Sequence, residues 1–125
     1  MSSPILGLHH VTAVASDPQT NVDFYAGVLG LRLVKKTVNF DDPSTYHLYY
    51  GDGVGSPGTV MTFFPRQSVR RGALGSGQTH TTAFAVPEHS LDFWRQRLEQ
   101  SSVRSQDVER FGAPGLAFVD PDGLQ

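Results

Sequence analysis

Two histidines stand side by side at His9 and His10, heading the segment HHVTAVA, and a third heads HTTAFAV at His80. A neutral imidazole is a good ligand for a divalent metal of borderline softness. The chain has no cysteine, so any metal it holds must be held by His, Asp or Glu. Disulfides are excluded for the same reason. Two further histidines sit in different settings: His47 lies within YHLYY, and His89 precedes the apolar-periodic stretch SLDFWRQRL.

The elements that would carry these residues follow from periodicity. Leu8 to Ala15 alternates as a strand. His10, Thr12 and Val14 fall on one face, and His9, Val11, Ala13 and Ala15 on the other. The following Ser16-Asp17-Pro18 predicts a helix start, with Asp17 as N-cap and Pro18 at the first helical position. Val22, Tyr25, Ala26 and Leu29 make a stripe at helical spacing, and Gly30 is placed to end the helix in a left-handed conformation. Strands are then predicted over residues 31–40, 46–50 and 59–64, separated by the turn DDPS and the loop GDGVGSPG. The first half reads strand, helix, strand, strand, strand. Phe24, Tyr25, Phe93 and Trp94 recur at helical positions and read as core packing.

The pattern then restarts. Residues 66–78 form a polar connector containing RRG and GSG. His80 to Val86 is predicted as a strand, residues 89–98 as a helix with Leu91, Trp94 and Leu98 inward, and residues 102–108 and 115–119 as two more strands. The turn DPDG (Asp120–Gly123) follows. HVTAVA from His10 lies over HTTAFA from His80 with four of six positions shared, a spacing of 70 residues. The fold class expected is α+β, built of tandem βαβββ modules. The first spans residues 1–65 and the second residues 79–125, the latter lacking its last strand. In each module the small Ala13 and Ala15, or Ala83 and Ala85, would let the helix approach. His10 and His80 would face a shared cavity. The missing strand suggests a truncated chain whose open edge is covered by a homo-oligomeric partner or by other strand pairing.

Lys plus Arg number 10 against 12 Asp plus Glu, a net charge of −2, which gives no reason to expect nucleic acid as a partner. No apolar run is long enough to span a membrane, and no basic-then-apolar leader opens the sequence. A cytoplasmic location is the expectation. At 38% hydrophobic residues the chain can build a modest core.

A histidine on a strand is more often structural than a ligand, so parity and repeat alone leave the role of His10 open. The motifs together resemble the vicinal oxygen chelate superfamily, which includes glyoxalase I, bleomycin-resistance proteins and extradiol dioxygenases. The carriers are HVTAV with Asp17, FYAGVLGL (Phe24–Leu31) and the closing DPDG. The strings LHHVT, VKKTVNFD, YHLYYGD and GSPGTVMTFFP, which cover much of the first half, resemble ring-cleaving dioxygenases that act on hydroquinones. The resemblance implies a mononuclear Fe(II) centre held by two His and one carboxylate, with positions open for a small hydroxylated aromatic substrate and for O₂. Mn(II) or another divalent metal would suit the same ligands. By that resemblance His10 is the first metal ligand, His80 is a second candidate, and His47 and Thr12 are candidates for contact with substrate or ligands. His9 reads as packed or hydrogen-bonded on the helix side, and His89 as a helix-start residue. No carboxylate lies on the strand over residues 59–64, so the 125 residues alone are expected to be catalytically inert. A metal-free binding protein of the bleomycin-resistance type and a glyoxalase-like lyase are the alternatives.

Overall fold

A computed structural model describes residues 3–68 and 70–125 of the chain. They form two compact units, Met1–Arg70 and Arg71–Gln125.

The first unit follows the predicted order. Strand β1 (His10–Ala15) leads into helix α1 (Pro18–Val22), which continues as a π-helical turn over Asp23–Val28. Strands β2 (Arg32–Val38), β3 (Tyr46–Gly51) and β4 (Val60–Pro65) complete it. Asp17 caps α1 by accepting the Thr20 N–H at 2.8 Å, and Gly30 leaves the helix at φ 71°. The π turn, marked by Leu29 N–H to Phe24 C=O at 3.0 Å, was not expected. It rotates the inward stripe: Asn21, Phe24 and Tyr25 are buried, rather than Val22, Ala26 and Leu29 in equal measure.

The sheet runs β1-β4-β3-β2. β1 pairs with β4 in parallel, from His10 opposite Val60 to Ala15 opposite Pro65; the other pairs are antiparallel. A bulge at Val34 shifts the β2–β3 register, so that Leu33 lies opposite Tyr50 and Lys35 opposite Tyr49. Alternation then sorts the side chains. Ala15, Leu48, Tyr50, Met61 and Phe63 are buried under the helix. Tyr25 closes this core with its ring 4.6 Å from that of Phe63 and 5.4 Å from that of Tyr50. The Tyr50 hydroxyl donates to Asn21 Oδ1 at 2.8 Å. His10, Thr12, His47, Tyr49, Thr62 and Phe64 lie on the opposite face.

The second unit holds helix α2 (Leu91–Gln100) and a hairpin of β5 (Ser105–Arg110) and β6 (Ala113–Phe118). Leu98 is buried and Leu91 and Trp94 are partly so, as expected, but Phe93 is exposed. Ser102, at φ 59°, closes the helix with Val103 N–H to Leu98 C=O at 2.8 Å, so residues 102–104 serve the helix end and β5 starts later than its pattern suggested. The DPDG turn forms around Asp120, whose Oδ1 accepts from the N–H groups of Asp122 and Leu124, both at 2.9 Å. Arg71 donates to the Asp122 carbonyl at 3.2 Å.

One expectation fails here. His80–Val86 is not in a ladder, and Ala83 and Ala85 are exposed rather than under a helix. The reason lies in the topology. In the first unit β1 has a single ladder partner, β4. The described residues of the second unit contain no strand that plays the part of β4. Among the described residues the backbone bond made there is Thr82 N–H to Gln125 C=O at 3.0 Å. A strand pattern without a partner leaves its backbone groups to water.

Candidate functional site

The open face of the first sheet carries a continuous polar row across three strands. Thr12 on β1 and Thr62 on β4 are register partners, and their hydroxyls are 2.8 Å apart. Thr62 is in turn 3.0 Å from His47 Nε2 on β3. The other ring nitrogen, Nδ1, is 2.8 Å from the Tyr49 hydroxyl. Thr62 is wholly buried beneath these neighbours, so its hydroxyl must be satisfied by the row itself.

Apolar and cationic groups frame the row. The Phe64 ring stacks on His47 with centroids 4.0 Å apart. Lys35 on β2 holds its ammonium 5.4 Å from the centroid of the Tyr49 ring, a cation–π distance that the bulge at Val34 makes available. Partial burial is the main reason that the His47 pKa is held below the ordinary histidine value, with the nearby His10 and Lys35 adding to it. His47 is therefore neutral near pH 7, with one N–H and one bare nitrogen.

His10 stands at the β1 end of this face, exposed. Its Nδ1 is 3.0 Å from Nδ1 of His9, so one imidazole donates and the other accepts. His9 precedes the strand; it is exposed rather than packed, while its carbonyl accepts the Gly58 N–H at 2.8 Å. His80, in the second unit, is exposed with Nδ1 2.8 Å from the Thr81 hydroxyl. His89 lies in the turn before α2. Sequence reasoning singled out His10, Thr12 and His47, which share one face, but missed Tyr49 and Thr62. Counting alternate residues on β3 and β4 from His47 would have found both.

His10 suits a divalent metal by its donor chemistry and exposure. A complete set of ligands is not assembled: among the described residues no group of three or more His, Asp or Glu comes together. Among the described residues the open face thus offers His10 and, with both ring nitrogens engaged in the row, His47, short of the three ligands that a usable site requires.

A βαβββ unit with one face under its helix and a polar, histidine-bearing face opposite defines a glyoxalase-type α+β module. The chain belongs to the Glyoxalase/Bleomycin resistance protein/Dioxygenase superfamily, whose family model matches residues 7–125. It is 53% identical over 124 residues to the "Putative ring-cleaving dioxygenase MhqO" of Bacillus subtilis (strain 168), covering 99% of this chain and 40% of that protein. It is 41% identical over 119 residues to the "Chlorohydroquinone/hydroquinone 1,2-dioxygenase" of Sphingobium indicum, covering 93% and 37% respectively. A crystal structure of a "putative dioxygenase" from Bacillus subtilis superposes with a TM-score of 0.93 at 53% identity, covering 98% of this chain and 40% of that one. The chain spans about two fifths of the length of the curated relatives it matches. No helix among the described residues is long and apolar enough to cross a membrane.

Proposed function

We propose that this chain forms part of a ring-cleaving dioxygenase that acts on hydroquinone-like aromatics with O₂, and that His10 is one ligand of its divalent metal, Fe(II). The observation that carries this reading is the open face itself: the exposed His10 imidazole shares it with a hydrogen-bonded polar row and with the Phe64 ring stacked on His47. The 41% identity to a chlorohydroquinone/hydroquinone dioxygenase supports the substrate class. When bound, the metal would supply positions for the ring hydroxyl and O₂. The chain's own residues do the remainder of what falls to this face. His10 donates a nitrogen lone pair. Phe64 and the exposed Val14 give apolar contact to a ring. Thr12 offers a hydroxyl beside His10. His80 is not brought into this role.

With His10 the one imidazole of this face that is outside the row, the 125 residues alone bind metal weakly and do not turn over. Mn(II) added to the ¹⁵N-labelled chain tests this by paramagnetic broadening. The expected outcome is broadening centred on His10 that disappears in His10→Ala, with no hydroquinone-dependent O₂ uptake when Fe(II) replaces Mn(II). Broadening centred elsewhere, or turnover by the isolated chain, would contradict the proposal.

A further inference from the structure

The row on the open face has a direction. Tyr49 and the two threonines each carry one hydroxyl hydrogen, and neutral His47 carries one N–H. The contacts at 2.8 Å, 3.0 Å and 2.8 Å can each use one hydrogen, and buried Thr62 cannot leave its own hydrogen bare, so two concerted arrangements satisfy the whole row. In the first, the Tyr49 O–H donates to Nδ1, Nε2–H donates to Thr62, and Thr62 donates to Thr12. The Thr12 hydrogen is then free to point outward. In the second every bond is reversed, and Thr12 spends its hydrogen on Thr62. Lys35 decides between them. An ammonium over the Tyr49 ring draws electron density from the phenol, which strengthens its O–H as a donor and weakens its oxygen as an acceptor.

We propose that Tyr49, His47 and Thr62 are positioning residues that fix the Thr12 hydroxyl as an outward hydrogen-bond donor, giving the open face a subsite for the ionised hydroxyl of an aromatic ring. This rests on the reading of the face as a ring-binding site and adds what selects the ring oxygen. A donor held toward a phenolate forms a charge-assisted bond, whereas an ether or an apolar substituent there leaves the donor bare. Buried Thr62 cannot turn its hydrogen to water, so the preference is transmitted rather than lost.

The test has two parts, both on the full 125-residue chain without metal. Long-range ¹H–¹⁵N spectra of His47 report its tautomer. The expected result is a protonated Nε2 and a bare Nδ1, with loss of that preference in Tyr49→Phe. A protonated Nδ1 in the wild-type chain overturns the proposal. Titration with 4-nitrophenolate, with 4-nitroanisole as control, reads the subsite through Thr12 shifts. Thr12→Val is expected to weaken phenolate binding about tenfold. Tyr49→Phe should weaken it several-fold in the parent and not at all in the Thr12→Val background, because it acts through Thr12. Equal losses of Tyr49→Phe in both backgrounds would make its role merely structural, and binding of the anisole as tight as the phenolate would remove the subsite. Neither readout depends on dioxygenase activity. An inactive enzyme with the expected tautomer and coupling would sink the proposed function alone, and the converse would sink this inference alone.

Discussion

Removing the Tyr50 hydroxyl tests the packing that holds the open face in place. Tyr50 is fully buried at the centre of the first unit, and its O–H donates to Asn21 Oδ1 at 2.8 Å. Asn21 is itself buried, and its Nδ2 has no hydrogen-bond partner among the described residues. Tyr50→Phe keeps the ring contacts to Tyr25 and Phe63, so little apolar burial is lost. What is lost is one hydrogen bond, leaving a buried carbonyl oxygen bare at a cost of about 1–3 kcal/mol. With the amide nitrogen already unpaired, about 2 kcal/mol is the working figure, which lowers the Tm of a unit this size by about 10 °C. Urea unfolding followed by near-ultraviolet circular dichroism would measure it. Asn21→Leu in the Tyr50→Phe background should restore most of the loss, since an apolar pair of similar shape leaves no group unsatisfied. The pH dependence gives a second signature. Burial, with the Asp23 charge adding to it, pushes the Tyr50 pKa above the ordinary value near 10. The unfolded chain therefore ionises this phenol first, so its contribution is intact below about pH 10 and declines as pH rises further. Tyr50→Phe should flatten that alkaline limb. A cost below about 0.5 kcal/mol, or an unchanged alkaline limb, would refute the account of this core.

Other expected outcomes follow from local geometry. Asp52 accepts from the N–H groups of Ser56 at 2.9 Å and Val54 at 3.1 Å, and these bonds draw its pKa down to about 2. Its contribution is present above the unfolded value near 4 and fades as pH falls toward 2, so Asp52→Asn should flatten the acid limb of stability in that window, read by circular dichroism against pH. Asp17→Ala removes the α1 cap and should lower the urea midpoint of unfolding. Phe111 sits at φ 53° beside Gly112 at φ 73° in the two-residue turn between β5 and β6, a position that suits Asn and strains a bulky residue. Phe111→Asn should raise stability by about 0.5–1 kcal/mol, seen as a higher urea midpoint with an unchanged m-value.

Much of the first unit was legible because each of its elements finds its partner inside the unit. Period-two alternation placed His10, Thr12 and Val14 together, and Asp17, Pro18 and Gly30 marked the helix ends by local chemistry that the structure keeps. The π turn was not legible. Its extra residue is a tertiary compromise that brings Asn21 and Phe24 inward with Tyr25, and nothing in a helical period marks it. The bulge at Val34 was hidden for the same reason, yet it sets Lys35 opposite Tyr49. The polar row needed register as well as parity: Thr12, Thr62 and His47 meet only because β1 and β4 run parallel and β4 pairs with β3. The repeat pointed correctly to a duplicated motif and misled on His80–Val86, where a strand-like pattern lacks the partner that β4 supplies in the first unit. The tight Phe111-Gly112 turn was missed because phenylalanine is not a turn residue.

The role of His10 is tested most directly in an enzyme whose activity can be read. The matched segment of the Sphingobium indicum chlorohydroquinone/hydroquinone 1,2-dioxygenase would be replaced by this chain, and O₂ uptake with hydroquinone followed together with bound iron per polypeptide. The account predicts that the chimera consumes O₂ and holds iron, and that His10→Ala abolishes both while His80→Ala leaves both intact. Full activity and iron content in the His10→Ala chimera would contradict it.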